Sequence, residues 1–183
     1  TGEDILKGRG ISYCATCDGD FFTGKEIIAV GGGNSALEEA VSLTKYASKV
    51  TIVHQFDHFQ AFEHAIEEAS NNPKIDFRME SAITAFYGNE SLESVDIKNL
   101  KTGVISNFKT DGAFIFIGYL PNTEFLKEKI DLNKNGEIIA GSDMSTSIKG
   151  VYAAGDSIAK RFRQVTTAVG DGTIAALAAS NYL

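Results

Sequence analysis

The sequence predicts an α/β fold, and three observations lead to this prediction. A short apolar run at 27–31 leads into consecutive glycines, and a segment of good helix formers follows at once. The β-branched run Val50–Val53 comes next, so strand, helix and strand form one crossover unit. Three further strand-like runs succeed one another between 81 and 109. Together they predict a Rossmann-like three-layer nucleotide-binding domain with an antiparallel β-meander.

The same patterns place the elements along the chain. We predict a helix over 34–47, a helix over about 59–69, a strand at 75–77, meander strands at 81–87, 92–100 and 104–109, a parallel strand at 113–117, a strand at 151–154 and a helix from about 166 to the end. Pro121 follows the last parallel strand and marks a domain boundary. We therefore expect one domain over 1–120 and a second over 121–183.

Composition excludes two kinds of partner. Of the 183 residues 43% are hydrophobic and 22% are charged, which is typical of a globular protein. The net charge of -7 argues against nucleic acid, because binding phosphates needs clustered Lys and Arg. No apolar run approaches the roughly 20 residues that span a bilayer, and no signal-peptide pattern opens the chain. We expect a cytoplasmic protein that binds neither nucleic acid nor membranes.

A glycine motif follows the first strand. The segment Gly31-Gly-Gly33-Asn34-Ser35-Ala36 fits G-x-G-x-x-G/A between a strand and a helix. Glycines let the backbone approach a pyrophosphate, and the helix N-terminus offers unpaired N–H groups. The motif predicts a dinucleotide site, and the alternative is a turn that only packs the helix on the strand.

The end of the second strand selects the nucleotide in such folds, by an acid for NAD or by arginines for NADP. Here the strand is followed by His54-Gln55-Phe56-Asp57-His58. No arginine is present, and Asp57 lies late for an NAD-type acid. The phosphate turn is therefore combined with an unusual selector.

Both cysteines of the chain lie in one motif, Cys14-Ala-Thr-Cys17. A close pair favours redox cycling, in which one thiolate attacks a partner disulfide and the second resolves the mixed disulfide. Zinc is the alternative, and it would have to recruit two of His54, His58 and His64. Asp18 follows the pair and is either a proton donor to a leaving thiolate or a turn-capping residue.

A second candidate cofactor turn lies in Gly150-Val-Tyr-Ala-Ala-Gly155-Asp156. Small residues permit close approach of a cofactor, and an acid accepts a hydrogen bond from a polyol hydroxyl. Alone, the segment is equally consistent with a tight turn.

Five segments, in this order, closely resemble bacterial thioredoxin reductases of low molecular weight. They are Cys14-Ala-Thr-Cys17-Asp18-Gly19, Gly31–Ala40, Phe116-Ile-Gly118-Tyr-Leu-Pro-Asn122, Ala154-Gly-Asp156 and Arg163-Gln-Val165. The resemblance covers essentially the whole chain. The residues between the cysteines are more similar to those of thioredoxin reductases than to the Pro-His of the related peroxiredoxin reductases.

The resemblance implies a fold, a reaction and an assembly. In that family a pyridine-nucleotide domain with the Cys-x-x-Cys is inserted into an FAD domain, so residues 121–183 would be part of an FAD domain. Electrons pass from NADPH to FAD, to the disulfide and then to thioredoxin or a similar redoxin, in a homodimer. Cys14 and Cys17 would be the redox pair, Cys17 would be the thiol nearer the flavin, and Asp18 would be the proton donor.

The resemblance also assigns cofactor contacts. The implied nucleotide-binding residues are Gly31, Gly33, Asn34, Ser35, Ala36 and His54. The implied flavin-binding residues are Gly155, Asp156, Arg163, Gln164, Val165 and Ala168, of which Asp156 would hold the ribityl chain, and Gly118 is implied as a further cofactor contact. No metal ligand is implied.

Two departures from the family pattern affect the function. The family's N-terminal FAD segment, with its own glycine fingerprint, has no counterpart in these residues, so we expect the isolated chain to be an inactive fragment with part of a flavin site. NADPH-dependent members carry His-Arg-Arg and a further Arg four positions later, where this sequence has Gln55, Phe56 and Gln60. The donor is therefore open between NADPH, NADH and ferredoxin. A module that senses redox state or binds a nucleotide without turnover is the non-enzymatic alternative.

Overall fold

The computed structural model describes all residues from 1 to 183 and divides into two compact units. The first spans Thr1–Ile117 and the second spans Gly118–Leu183. The boundary lies between Ile117 and Gly118, whereas the sequence pattern placed it after residue 120.

The first unit contains four helices and eight strands, apart from one 3₁₀ turn at Gly19–Phe22. In chain order these elements are α1 (Glu3–Leu6), β1 (Ile11–Ser12), α2 (Ala15–Asp18), β2 (Glu26–Val30), α3 (Asn34–Leu43), β3 (Lys49–Val53), α4 (Glu63–Ser70), β4 (Ile75–Arg78), β5 (Ser81–Gly88), β6 (Leu92–Asn99), β7 (Ile105–Lys109) and β8 (Gly112–Ile115).

Three layers build this unit. Five parallel strands form a central sheet in the order β1-β8-β2-β3-β4, and β5, β6 and β7 form a separate antiparallel sheet. One face of the central sheet packs against α3 and α4 through a cluster that includes Leu37, Ile52 and Phe114. The other face packs against the meander through a cluster that includes Ile28 and Val95. Strands covered on both faces read as continuous apolar runs, and the predicted α/β class and meander are confirmed.

Helix α3 is shorter than predicted, because it ends at Leu43 and not near residue 47. The chain continues in tighter turns, in which the Thr44 and Tyr46 amides donate to carbonyl groups three residues earlier. The Lys74 ammonium then donates to the Thr44 and Ala47 carbonyl groups at 2.7 and 3.1 Å. These bonds satisfy carbonyl groups that a longer helix would otherwise have used.

Two other predicted elements differ from the structure. Helix α4 starts at Glu63 and not near residue 59, because the Gln60 amide donates to the Gly32 carbonyl at 2.8 Å and holds this segment extended. The predicted strand at 151–154 is absent as a strand, since its only ladder pairing is an isolated bridge between Tyr152 and Ser145.

The second unit has a short 3₁₀ turn at Glu124–Leu126 and one long helix, α5 (Val165–Tyr182). A small core of Ile130, Ile138, Met144 and Ile158 holds it together. No residue of α5 is fully buried, although the helix is rich in Val, Ile, Leu and Ala. A predominantly apolar helix is normally covered, so α5 presents an unusually exposed apolar surface. No helix of the molecule combines the length and apolar character needed to cross a bilayer.

Candidate functional site

The cysteine pair directly follows β1, an edge strand of the central sheet. Residues Ile11 and Ser12 pair in parallel with Ala113 and Phe114 of β8, and β8 pairs on its other side with β2. The carboxyl ends of parallel strands meet at one edge of a sheet, and ligands of α/β folds bind at that edge. The cysteine motif after β1 and the glycine turn after β2 therefore share this edge, and the two strands are separated by two strand spacings, about 10 Å.

Cys14 and Cys17 form a disulfide with their Cα atoms 5.3 Å apart. Cys14 precedes helix α2, and its Sγ accepts a hydrogen bond from the Cys17 amide at 3.1 Å. Cys14 is half-buried and Cys17 is exposed. This local disulfide fits a redox-active pair, and cysteines joined in a disulfide do not ligate zinc.

Asp18 ends helix α2 and is held by the last residue of β1. The Ser12 hydroxyl donates to Asp18 Oδ2 at 2.7 Å and accepts a hydrogen bond from the Cys14 amide at 3.1 Å. Ser12 and Asp18 also line a pocket of about 330 Å³. The candidate proton donor is thus fixed beside the cysteine turn and has open space next to it.

Tyr13 is a second residue next to the pair that could donate a proton, but its hydroxyl is hydrogen-bonded to another residue. Its hydroxyl donates to the Glu3 carboxylate at 2.6 Å. That hydrogen bond, with some burial, raises the pKa of Tyr13 to about 12. A phenol that holds its proton so firmly is a poor donor at neutral pH, which leaves Asp18 as the better candidate.

The predicted pyrophosphate turn has the close packing that requires glycine. Gly31 has a φ of 140°, and a Cβ there would lie 2.4 Å from the Phe116 carbonyl oxygen. A side chain on Gly33 would meet only the Gln60 carbonyl oxygen, at 3.8 Å, so the turn is open on that side. Ala36 is fully buried behind it. Helix α3 begins at Asn34, so its first free amides adjoin this open side, as a pyrophosphate needs.

Asn34 and Ser35 start helix α3 in different environments. Asn34 Oδ1 accepts a hydrogen bond from the Phe62 amide at 2.7 Å, so its side chain braces the turn against the segment before α4. Ser35 is exposed in the first turn of the helix. Their contact with a nucleotide stays a prediction.

His54 lies behind the glycine turn and is only 5% exposed. A Cβ on Gly32 would lie 2.3 Å from His54 Nδ1, and the ring stacks on Phe59 with 5.7 Å between ring centroids. Burial lowers the pKa of His54, which is therefore neutral at neutral pH. The observed contacts of His54 support the turn, and its predicted role in nucleotide binding stays a prediction.

The predicted selector residues Gln55, Phe56 and Gln60 are all exposed. Arg78 at the end of β4 is the cation of the neighbouring strand, and its guanidinium lies over the Phe108 ring at 5.5 Å. His58 pairs with Asp57 at 2.7 Å. The selector segment therefore offers a nucleotide an aromatic and amide surface without an arginine of its own.

The second unit contains the predicted flavin turn. A side chain on Gly155 would meet only Ala168, at 3.9 Å, and the Asp156 side chain is about half exposed. The turn is braced by Asp171, which accepts hydrogen bonds from the Gly155 amide at 3.3 Å and from the Lys160 ammonium at 2.7 Å. The Lys160 ammonium holds the pKa of Asp171 below its usual range. An open glycine followed by an exposed acid fits a polyol chain.

Arg163 is also positioned by residues of the second unit. Its guanidinium pairs with the Glu137 carboxylate, lies 4.7 Å from the Tyr119 ring centroid and donates to the Asp156 carbonyl at 3.2 Å. The side chain is therefore committed within the unit.

The other predicted cofactor contacts lie around the start of α5 and at the beginning of the unit. Gln164 caps α5 in a capping box with Thr167. Val165 is 81% exposed, Ala168 is half-buried and Gly118 is exposed. Their contact with a cofactor stays a prediction.

Three contributors to these sites escaped the sequence interpretation. Ser12 lies in a strand of only two residues, which has no detectable periodicity, and its nearness to Cys14 was the one available signal. Lys160 and Asp171 are eleven residues apart, and only the fold shows that they meet under Gly155.

Comparison with known proteins shows that this chain is similar to thioredoxin reductases. The thioredoxin reductase of Peptoclostridium acidaminophilum is 47% identical over 188 aligned residues, which cover 100% of this chain and 60% of that protein. The crystal structure of thioredoxin reductase from Streptococcus pyogenes MGAS5005 superposes with a TM-score of 0.94 at 42% identity, covering 99% of this chain and 60% of that one. A ferredoxin-flavin thioredoxin reductase from Clostridium acetobutylicum matches with a TM-score of 0.53 at 31% identity, covering 99% and 57%.

These relatives are longer than this chain, which spans about three-fifths of the length of the curated proteins it matches. The family model for pyridine nucleotide-disulphide oxidoreductases matches residues 2–172 and so includes the disulfide, the glycine turn and most of the second unit. The chain therefore belongs to the pyridine nucleotide-disulphide oxidoreductase family.

Proposed function

We propose that these residues form the disulfide-carrying part of a thioredoxin-disulfide reductase, a flavoenzyme that passes electrons through Cys14 and Cys17 to a protein disulfide. The observation that carries the proposal is the Cys14–Cys17 disulfide, which lies beside an aspartate held at 2.7 Å by Ser12. The similarity to thioredoxin reductases over the whole chain supports the same activity.

The exchange follows from the chemistry of this turn. In the reduced pair, the Cys14 thiolate attacks one sulfur of the partner disulfide, so that a mixed disulfide forms and the partner's S–S bond breaks. The leaving partner thiolate takes a proton from Asp18. The Cys17 thiol returns a proton to Asp18, and its sulfur attacks the mixed disulfide. The Cys14–Cys17 bond forms again, and the second partner thiolate takes its proton from solvent.

Each exchange oxidises the cysteine pair by two electrons and reduces the partner by two. A bound flavin would supply the electron pair that opens the Cys14–Cys17 disulfide again. The open turn at Gly155, the exposed Asp156 carboxylate and the exposed start of α5 fit such a cofactor. Asp156 would accept hydrogen bonds from its ribityl hydroxyls, and residues Gln164, Val165 and Ala168 would lie along its ring system.

We propose further that the second unit is part of an FAD domain completed by a segment outside these residues. The uncovered apolar helix α5 and the greater length of the relatives support this view. We also propose a homodimer in the cytoplasm, and the resemblance to thioredoxin reductases supports both.

The direct test uses the full-length polypeptide that contains these residues, isolated with its flavin. Its flavin is reduced chemically under anaerobic conditions, and oxidised thioredoxin is added. The flavin and the Cys14–Cys17 pair are then both reduced and hold two electrons each, so we expect up to two equivalents of thioredoxin dithiol per flavin. Flavin that stays reduced in the presence of thioredoxin disulfide would contradict the proposed activity.

Reduced ferredoxin is a second candidate for the electron donor. The exposed selector segment has Gln55, Phe56 and Gln60 where three arginines would bind the phosphate of NADPH. The similarity to a ferredoxin-flavin thioredoxin reductase points in the same direction. NADH is a weaker alternative, because no acid occupies the end of β3.

The isolated 183-residue polypeptide should hold less than about 0.1 FAD per chain after purification, because pyrophosphate binding at a glycine turn and helix N-terminus supplies much of the affinity for a dinucleotide. The one such fingerprint here, Gly31–Ala36, belongs to the predicted nucleotide site. Absorbance at the flavin bands measures the content, and the full-length polypeptide purified in parallel is the control. Stoichiometric FAD on the short polypeptide would refute the expectation.

A further inference from the structure

Ser12 joins three parts of the redox site through one hydroxyl group. It is the last residue of β1 and is 5% exposed. Its oxygen accepts the Cys14 amide hydrogen at 3.1 Å and lies 2.7 Å from Asp18 Oδ2. The Cys14 carbonyl oxygen is a second acceptor, at 3.3 Å.

A serine hydroxyl has a single proton to donate. Asp18 Oδ2 is the nearer acceptor, at 2.7 Å against 3.3 Å for the Cys14 carbonyl oxygen, and one carboxyl oxygen can accept this bond while the other carries the acid proton. The Ser12 proton therefore goes to Asp18, while the Ser12 oxygen is occupied by the Cys14 amide. Both partners are then fixed relative to each other.

Ser12 itself is fixed by the central sheet, because it pairs with Phe114 of β8, which is fully buried. Asp18 and Cys14, in contrast, lie at the two ends of a single four-residue helix that has little rigidity of its own. The hydroxyl thus connects a rigid strand to the turn that carries out the exchange.

We propose that Ser12 is a positioning residue for disulfide exchange, which holds the Asp18 carboxyl group in place to protonate the leaving thiolate. This inference rests on the proposed function of the cysteine pair. It assigns to Ser12 an effect that depends on Asp18 and on the basicity of the leaving group.

The role of Ser12 can be tested by comparing exchange rates with two disulfides whose leaving thiolates differ in basicity. An alkyl thiolate is basic and needs a proton as it leaves, whereas the thiolate released from 5,5′-dithiobis(2-nitrobenzoate) is weakly basic and leaves without one. A residue that positions an acid therefore matters for bis(2-hydroxyethyl) disulfide and matters little for the aromatic disulfide. A general loss of structure would slow both reactions.

The experiment uses the full-length polypeptide that contains these residues, reduced with dithiothreitol and desalted under anaerobic conditions, and measures the second-order rate constant with each disulfide. Quenching, alkylation and mass spectrometry follow the alkyl reaction, and absorbance follows the aromatic one. We expect Ser12→Ala to slow the alkyl reaction about tenfold, the usual scale for a hydrogen bond to a charged group, and to change the aromatic reaction less than about twofold. Ser12→Thr, which keeps the hydroxyl, should restore most of the rate.

A double-mutant cycle shows whether Ser12 acts through Asp18. In an Asp18→Asn background the same Ser12→Ala change should cost less than about twofold, because the acid is already gone. The matched control is Ser81→Ala, which removes another buried hydroxyl, 6% exposed, whose hydrogen bond goes only to the Met79 carbonyl group. It should change neither reaction.

Equal slowing of both disulfides, or a full tenfold loss in the Asp18→Asn background, would overturn the proposal. Thioredoxin takes no part in these reactions. A protein that fails to reduce thioredoxin would therefore overturn the proposed function, while the two small disulfides would still decide the role of Ser12.

Discussion

Replacing either cysteine of the pair by serine should lower the rate of thioredoxin reduction by the full-length flavoprotein by at least about 10³-fold. The reason is that in the proposed exchange thioredoxin gains two electrons as Cys14 and Cys17 form a disulfide, and a single thiol cannot form one. The measurement is the steady-state turnover of thioredoxin disulfide. The matched control is Thr16→Ser, which alters the same exposed turn and leaves both thiols in place. It should keep its rate within about twofold.

The two variants should differ in what they trap. The Cys14 sulfur accepts the Cys17 amide hydrogen at 3.1 Å, and such a bond stabilises negative charge on the attacking sulfur. Cys17→Ser should therefore still attack thioredoxin and accumulate a mixed disulfide that mass spectrometry detects, because no resolving thiol remains. If only Cys14→Ser accumulated the mixed disulfide, Cys17 would be the attacking cysteine and Cys14 the resolving one. If either variant kept a tenth of the normal turnover, the Cys14–Cys17 disulfide would not be required for thioredoxin reduction.

The central fold was predictable because its strands are buried on both faces. Parallel strands such as β2 and β3 must then be apolar throughout, and the glycine turn between the first strand and helix is a strong local signal. The meander was predictable from its turns, for instance the one at Lys101–Gly103 that separates β6 from β7. These features are local in sequence.

The features that escaped prediction depend on contacts between distant residues. Strand β1 has two residues and exists only because Ala113 and Phe114 offer it a ladder. The apolar run at 151–154 lacks such a neighbour along its length and makes one bridge, so composition alone predicted the wrong element there. The candidate site follows the same rule. The cysteine motif was legible in sequence, whereas Ser12, which holds Asp18, was not.

The choice of electron donor depends on the glycine turn and on the segment after β3, which contacts the ribose of a dinucleotide in such folds. The glycine turn is open toward α3, so a pyrophosphate can be bound there. The next contact along a dinucleotide would be with Gln55, Phe56 and Gln60, which are exposed and uncharged. His54 is buried and, with its pKa lowered, carries no charge to replace an arginine. We therefore expect weak binding of either pyridine nucleotide.

We therefore expect the full-length flavoprotein to show less than about a tenfold preference for NADPH over NADH, and slow turnover with both, when catalytic efficiencies are compared with those for reduced ferredoxin.

Introducing the missing arginines should create a preference for NADPH. Gln55→Arg combined with Phe56→Arg should raise the efficiency with NADPH by about 100-fold or more and leave NADH nearly unchanged, because two charge-assisted hydrogen bonds of about 1.5–3 kcal/mol each become available to the 2′-phosphate. Asn89→Arg with Asn135→Arg makes the same change in net charge at exposed sites of the meander and the second unit, and it should leave both efficiencies unchanged. A strong NADPH preference in the unmodified protein would mean that another residue binds the phosphate. A double arginine variant that gains nothing, in a protein that turns over with ferredoxin alone, would mean that the glycine turn has kept its structure and lost its ligand.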